Sequence, residues 1–559
     1  MKRTKKSRKS RKAAVWGLAL AVFLTLAGCR SGDNPAGSGQ AGEASGPSGQ
    51  VSEIEGLETG RAVLSAEKIT VEGNGIAAEN GTVTISRAGV YRLSGALTDG
   101  QIIVDLTKSG NGETVCILLD GVDVACASGP ALWIREADEV ILTLTEGSEN
   151  RLADAQSRES EEDGAGAAVW SDCDLTVNGS GSLTVEGRYR NGISTKDDLV
   201  IDGGSLAVTA VNNGLRGKDS VTIRSGRIEI TADGDAIQSD QTEKSDKGFI
   251  AVEGGSLQLS AGQKGVSAET DIRISGGDVT VTSTDDCVHA NGSLELSGGS
   301  LLLESEAKGI HADGSLTVSG GTVCVKRCLE GLEAKWIQID GGEVGITASD
   351  DGINASDGSG QDNPGGESGV GIEITGGILK IDAAGDGIDS NGSLTVSGGE
   401  VYVDGPVDGG NGALDYAGSA VITGGTVVAA GSAGMACNFT GAEKQCAWMV
   451  NLPSVQKAGS EIAVADGEGK VLLRYSPSKE YQSVVVSCAG LTQGETYSLS
   501  VDGTEMETVL LADLITGNGG MRMPGGRGQG GMGGPGERRP EEFGGPGGEI
   551  PEGFGGPGR

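Results

Sequence analysis

The chain has 559 residues, with 43 Lys or Arg against 78 Asp or Glu, a formal net charge of −35. So acidic a chain excludes nucleic acid as the natural partner. Hydrophobic residues at 36% and aromatics at 3% are too few for several thick globular cores, and 100 glycines argue against helices.

Eight of the first twelve residues are basic, and an apolar run follows from Ala13 to Ala27. That run is shorter than the roughly 20 residues a membrane span needs, so residues 1–28 read as a signal peptide. It ends Leu26-Ala27-Gly28-Cys29, which resembles the bacterial lipobox. The resemblance implies that Cys29 is lipidated and becomes the first residue of an extracytoplasmic protein, held at the bacterial cell surface by its lipid anchor. Removal of the signal leaves 35 basic against 78 acidic residues, a net charge of −43. Residues 29–56, rich in Gly, Ser and Ala, have the composition of a flexible tether.

Residues 57–154 alternate short apolar runs with turns, as in Val83-Thr84-Ile85, Ile102-Ile103-Val104 and Val140-Ile141-Leu142. They predict an amino-terminal cap and first coils. From 155 to 430 one phrase recurs, clearest as Asp386-Gly387-Ile388-Asp389-Ser390-Asn391-Gly392-Ser393-Leu394-Thr395-Val396-Ser397-Gly398-Gly399. Its second glycine recurs at Gly204, Gly226, Gly255, Gly277, Gly299, Gly321, Gly342, Gly377, Gly399 and Gly425, most often 22 residues apart. So tight a period marks a repeat architecture. Leu394 and Val396 alternate with polar residues, as do Val401 and Val403, and Ile388 adds a third apolar point. Period two with glycine turns means strands. Three short strands per repeat predict an all-β chain, a right-handed parallel β-helix of about 22 residues per coil, stable by nearest-neighbour stacking. Residues 435–511 have hairpin-like strands around Ile462, Val471, Val484 and Tyr497 and predict a small β domain that caps the stack. Residues 517–559, rich in Gly and Pro without a strict Gly-X-Y period, predict disorder.

Nine cysteines remain after Cys29, with no C-x-x-C pair, and are expected mainly as small buried residues. Residues at one repeat position must stack into a column. The position before the Gly-Ile turn reads Asn191, Asn213, Asp235, Lys264, Asp286, Lys308, Glu330, Asp351, Asp386, Asn411. Acid and lysine alternate through its middle, so that stretch is expected to neutralise itself, and then Glu330, Asp351 and Asp386 follow without a lysine. Two such charges one coil apart repel by roughly 3 kcal/mol at an effective dielectric of 20. Asp350, Asp351, Asn354, Asp386 and Asp389 put hard oxygen ligands on one corner, which suits Ca²⁺, and Asp285 with Asp286 form a second candidate. A solvated acidic corner is the alternative. Outward Trp336 and Tyr402 are the candidate sugar-stacking aromatics. No catalytic residue is assigned: there is no Ser-His-Asp order or H-E-x-x-H, and the two histidines, His289 and His311, stack one coil apart. Lys308, Lys335 and Arg216 are conceivable lyase bases.

The repeat phrase Gly385 to Gly399, the segment Tyr481-Gln482-Ser483-Val484-Val485-Val486-Ser487 and the Gly/Pro-rich tail together resemble bacterial carbohydrate-binding domain-containing proteins with a polysaccharide-lyase-like right-handed β-helix. The resemblance spans roughly Leu57 to Gly503. It implies binding of plant cell-wall polysaccharide, notably polygalacturonate, with Ca²⁺ and without established cleavage; a monomer is expected. A calcium-dependent pectate-type lyase and a structural or adhesion protein at the cell surface are the competing readings.

Overall fold

The computed structural model describes residues 58–107, 113–157, 165–358 and 365–517. The signal sequence, Cys29, the tether and all but the first residue of the Gly/Pro-rich tail lie outside them. The described residues contain no α-helix, and the chain is all-β. Most strands belong to one long sheet, and a four-stranded sheet lies towards the carboxyl end.

Within the repeats the chain visits three parallel ladders in turn, and each strand pairs with its counterpart one repeat on. In the first, Val288–Ala290 pairs with the start of Lys308–Val318, and Ile353–Ala355 with Ile388–Ser390 and so to Leu414–Tyr416. The second runs through Gly371–Ile374, Ser393–Val396 and Ala420–Ile422. The third runs through Ile378–Ala383, Glu400–Asp404 and Thr426–Gly431. The long interval between Gly342 and Gly377 does not disturb the register, because Ile337 still faces Ile372 and Ile353 faces Ile388.

Alternation sets which residues form the core. In Ser393–Val396, Leu394 and Val396 are buried and Thr395 is half-exposed. Each inward side chain lies on its counterpart in the next repeat, so burial accumulates along the axis at roughly 25 cal/mol per Å² of apolar surface. The turn into the third ladder depends on glycine. All ten recurring second glycines, from Gly204 to Gly425, have φ between +78° and +109°, a region that penalises any residue with a Cβ. At Gly399 a Cβ would also lie 2.7 Å from the Gly376 carbonyl oxygen.

Both ends are closed by antiparallel pairing. At the amino end Glu58–Leu64 pairs with Thr70–Gly73, and Ile76–Glu79 with Thr82–Ile85. At the carboxyl end Thr426–Gly431 accepts Tyr481–Ser487 as an antiparallel neighbour, which in turn pairs with Ala447–Gln456. The outward side chain of Val428 therefore enters a second core with Trp448, Tyr481 and Val486. Buried Asp404 ties the two parts together: its carboxylate accepts from Tyr475 Oη at 2.8 Å and from the Ser478 backbone N–H at 2.8 Å. Seven of the nine described cysteines are buried, and no disulfide joins any two of them.

Candidate functional site

The column before the Gly-Ile turn first serves the backbone. Its Asn and Asp side chains each reach one repeat onward. Asn191 Oδ1 accepts from the Asn213 N–H at 3.1 Å, and Asn213 Oδ1 from Asp235 at 3.0 Å. Asp235 accepts from Lys264 at 2.9 Å, Asp286 from Lys308 at 3.0 Å, Asp351 from Asp386 at 2.7 Å and Asp386 from Gly412 at 2.6 Å. Each short side chain thus satisfies an amide that the ladder turn leaves free, and one oxygen of each aspartate is occupied. Two corrections follow. The column ends on Gly412, not Asn411, because Leu414 pairs with Ile388 after the longer turn has absorbed the added residues. The lysines do not neutralise their own column either: Lys264 Nζ lies 2.8 Å from Asp285, and Lys308 Nζ pairs with Glu333. A lysine side chain is longer than one repeat step and swings to the neighbouring column.

The column that Lys308 reaches lies on the first ladder itself, where His289, His311, Glu333, Asn354, Asp389 and Asp415 stand in register, whereas Asp285 precedes the Asp286 column on its other side. Glu333 and Asp415 are members of the acidic site that sequence reasoning missed. Asp415 was visible as the middle residue of Leu414-Asp415-Tyr416, but only once that strand is aligned with Ile388-Asp389-Ser390. The two columns concentrate Glu330, Glu333, Asp351, Asp386, Asp389 and Asp415 on adjoining repeats. Burial first, then the charges of Asp351, Asp386 and Asp415, pushes Asp389 up to about 8. Burial also raises Asp386 to about 7 and Asp351 to about 6, against the amide hydrogen bonds each accepts. Glu330 is raised to about 7 by burial and then by the Glu333 carboxyl. Beside them Asn354 Oδ1 is buried without a hydrogen-bond partner. Gly385 leaves the space for exposed Asp350 and for Asp351, since a Cβ there would lie 2.5 Å from Oδ1 of each. These oxygens are spread wider than a closed ligand shell. Among the described residues, the one trio of His, Cys or acidic side chains with ligand atoms within 4.8 Å of one another is Asp286, His289 and His311.

The other sequence candidates are placed as follows. Asp285 is the salt-bridge partner of Lys264. Asp286 is 6% exposed, and its carboxyl is held well below the usual range: burial opposes this, but hydrogen bonds from His289 and His311 outweigh it. Trp336 projects from the second ladder opposite Gly371, whose missing Cβ makes room for the indole edge. Tyr402 does face outward, yet Tyr475 stacks on it at 5.0 Å between ring centroids and 19° between planes. One face of Tyr402 is therefore taken by the carboxyl-terminal part. Two of the three basic candidates are committed too: Arg216 holds Asp240 through Nη2 at 2.7 Å and Nε at 3.1 Å, and Lys308 holds Glu333.

The chain is similar to known proteins. A protein from Acetivibrio thermocellus described as a carbohydrate-binding domain-containing protein is 34% identical over 163 residues, 28% of this chain. The match spans 56% of that relative's length. Among solved structures, a gadolinium derivative of the polysaccharide lyase-like protein from C. thermocellum aligns at 30% identity with a TM-score of 0.40. That alignment covers 46% of this chain and 96% of the other. The family model for carbohydrate-binding domain-containing proteins matches residues 79–352 and 307–534, which takes in the ladders, both columns and the carboxyl-terminal sheets. With that span matched, the chain belongs to the family of carbohydrate-binding domain-containing proteins.

Proposed function

We propose that this protein is a cell-surface lipoprotein whose ladders wind as a right-handed parallel β-helix and whose acidic columns use Ca²⁺ to hold an acidic polysaccharide such as polygalacturonate. The observation that carries the reading is the group Asp351, Asp386 and Asp389. Their carboxyls are half-buried and pushed up to about 6, 7 and 8, beside the unpartnered Asn354 Oδ1. Partly buried carboxylates gathered on adjoining repeats need either protons or a cation. The donor set is all oxygen, which suits Ca²⁺, and Asp415 and Glu333 add further carboxylates in register. A chain of net −43 after signal removal repels a polyuronate, so a cation shared between protein and sugar carboxylates supplies the attraction. The membrane enters through the lipid on Cys29.

The test is polymer binding with and without the cation. Polygalacturonate should be retained by the protein in Ca²⁺ and released by chelator, with the fold unchanged by circular dichroism. The double variant Asp386→Asn with Asp389→Asn should behave as chelated protein does. Full retention in chelator would dispose of the bridge, and undiminished Ca²⁺ uptake by the variant, measured by calorimetry, would remove the ion from this corner.

A further inference from the structure

Two repeats before the acidic group, two imidazoles converge on one carboxylate. His289 and His311 occupy paired positions on neighbouring strands of the first ladder. Each turns Nδ1 to the same atom, Asp286 Oδ2, at 2.8 and 3.2 Å. The rings meet edge to face, with centroids 4.7 Å apart and planes at 81°, and their two Nδ1 atoms converge on that one carboxylate oxygen. Asp286 is fixed there because its other oxygen accepts the Lys308 N–H at 3.0 Å.

The outer nitrogens are held as well. His289 Nε2 lies 3.0 Å from Asn291 Oδ1. The Asn291 amide is oriented by its own Nδ2, which donates to Glu269 at 3.1 Å. Oδ1 can only accept, so His289 Nε2 donates to it. His311 Nε2 likewise faces a carboxylate oxygen, Asp313 Oδ1, at 3.5 Å. In the metal-free chain each Nδ1 donates to the Asp286 carboxylate, so a bound metal would take the place of the Nδ1 protons, and oxygen partners on the far nitrogen are the usual support of a metal-binding histidine. The nearest ammonium groups are engaged elsewhere, Lys264 on Asp285 and Lys308 on Glu333. Side-chain exposures of 15% for His289 and 18% for His311, against 6% for Asp286, leave one side open to solvent or a further ligand.

We propose that Asp286, His289 and His311 form a two-histidine, one-carboxylate site for a divalent transition metal of the Zn²⁺ class, separate from the all-oxygen Ca²⁺ corner. Imidazole nitrogen selects such ions over Ca²⁺, which prefers an oxygen shell. Three protein ligands leave at least one coordination position for water or an oxygen of a bound ligand.

The site is tested on the full chain, stripped of metal and then titrated with Zn²⁺ alone in a large excess of Ca²⁺. One Zn²⁺ per chain should bind, and Co²⁺ in its place should show visible d–d bands stronger than those of the aqueous ion. His289→Ala and His311→Ala should each weaken Zn²⁺ by more than about tenfold, and Asn291→Ala by about tenfold through loss of support. Asp386→Asn with Asp389→Asn should leave Zn²⁺ uptake unchanged. His289→Gln keeps a polar group beside Asp286 and serves if the alanine variant fails to fold. Undiminished Zn²⁺ uptake by His289→Gln with His311→Ala, or a sulfur-to-cobalt charge-transfer band, overturns the proposal. So does wild-type Co²⁺ with the spectrum of the aqueous ion.

Discussion

Asp389 carries the largest mismatch between a residue and its surroundings in the acidic group. Its carboxyl is half-buried, and Asp351, Asp386 and Asp415 add their charges, so the folded state holds its proton up to about pH 8. The sign of the consequence follows from linkage. An unfolded aspartate releases its proton near pH 4, so between there and pH 8 the folded chain binds more protons than the unfolded one. Stability of the metal-free protein should therefore fall as pH rises from 5 to 8, by an amount on the order of a few kcal/mol summed over Asp351, Asp386 and Asp389. Ca²⁺ replaces the protons and should flatten that slope, which thermal unfolding at several pH values with and without Ca²⁺ will read. Asp386→Asn with Asp389→Asn should stabilise the metal-free protein at pH 8 by about 1–3 kcal/mol and change little at pH 5, where both carboxyls are already protonated. Asparagine keeps Oδ1 at position 386, so the hydrogen bond from Gly412 survives and does not confuse the result. A variant equally stabilised at both pH values would show that charge is not the cause.

At the scale of the strand, alternation decides tolerance. Val396 lies between Ile374 and Ile422 in register and is 1% exposed, whereas Thr395 lies between Glu373 and Val421 and is half-exposed. Val396→Asp leaves an unpaired charge inside the stack and should cost several kcal/mol, on the order of 3–5. Thr395→Asp should cost less than about 1 kcal/mol. Equal losses of denaturation midpoint in the two variants would contradict the inward and outward faces described. The turn glycines form a second test at this scale. Gly399→Ala places a Cβ where φ is +78° and the Gly376 carbonyl is 2.7 Å away. The change should cost at least 1–2 kcal/mol, whereas alanine at Gly345, where a Cβ meets nothing within 4 Å, should be near neutral.

For the molecule as a whole, the ends of the ladders are the points of weakness, because a parallel stack presents an unpaired strand at each end. The carboxyl-terminal strands cover one of them through the antiparallel pairing of Tyr481–Ser487 with Thr426–Gly431 and through Asp404. Removal of residues 432–517 should expose Val428 and its strand edge and convert a monodisperse protein into associating species, read by size-exclusion chromatography. A truncated chain that remains monodisperse would mean that the ladder end protects itself. Cellular placement is tested separately: Cys29→Ala should free the protein from the membrane fraction, and unchanged lipid labelling would refute the lipobox reading.

The primary structure was enough to identify the strands, their inward faces and the turns between them. These depend on local chemistry: period-two alternation, and glycines that alone tolerate positive φ at Gly204 through Gly425. It also placed Asp351, Asn354, Asp386 and Asp389 on one corner, because a fixed repeat makes equal positions neighbours. What it left undecided depended on register across unequal repeats and on the reach of side chains. Asp415 joins Asp389 only because Leu414 pairs with Ile388 across a longer turn, which also displaces Asn411 from the column in favour of Gly412. Lys264 and Lys308 turn aside to Asp285 and Glu333, so their charge is spent one column away from where their backbone sits. Tyr402 was legible as outward but not as covered, because Tyr475 reaches it from 73 positions along the chain. The convergence of His289 and His311 on Asp286 Oδ2 is of the same kind. Repeat spacing makes the two rings neighbours, but only the packed side chains, held from behind by Asn291 and Asp313, decide where their nitrogens point.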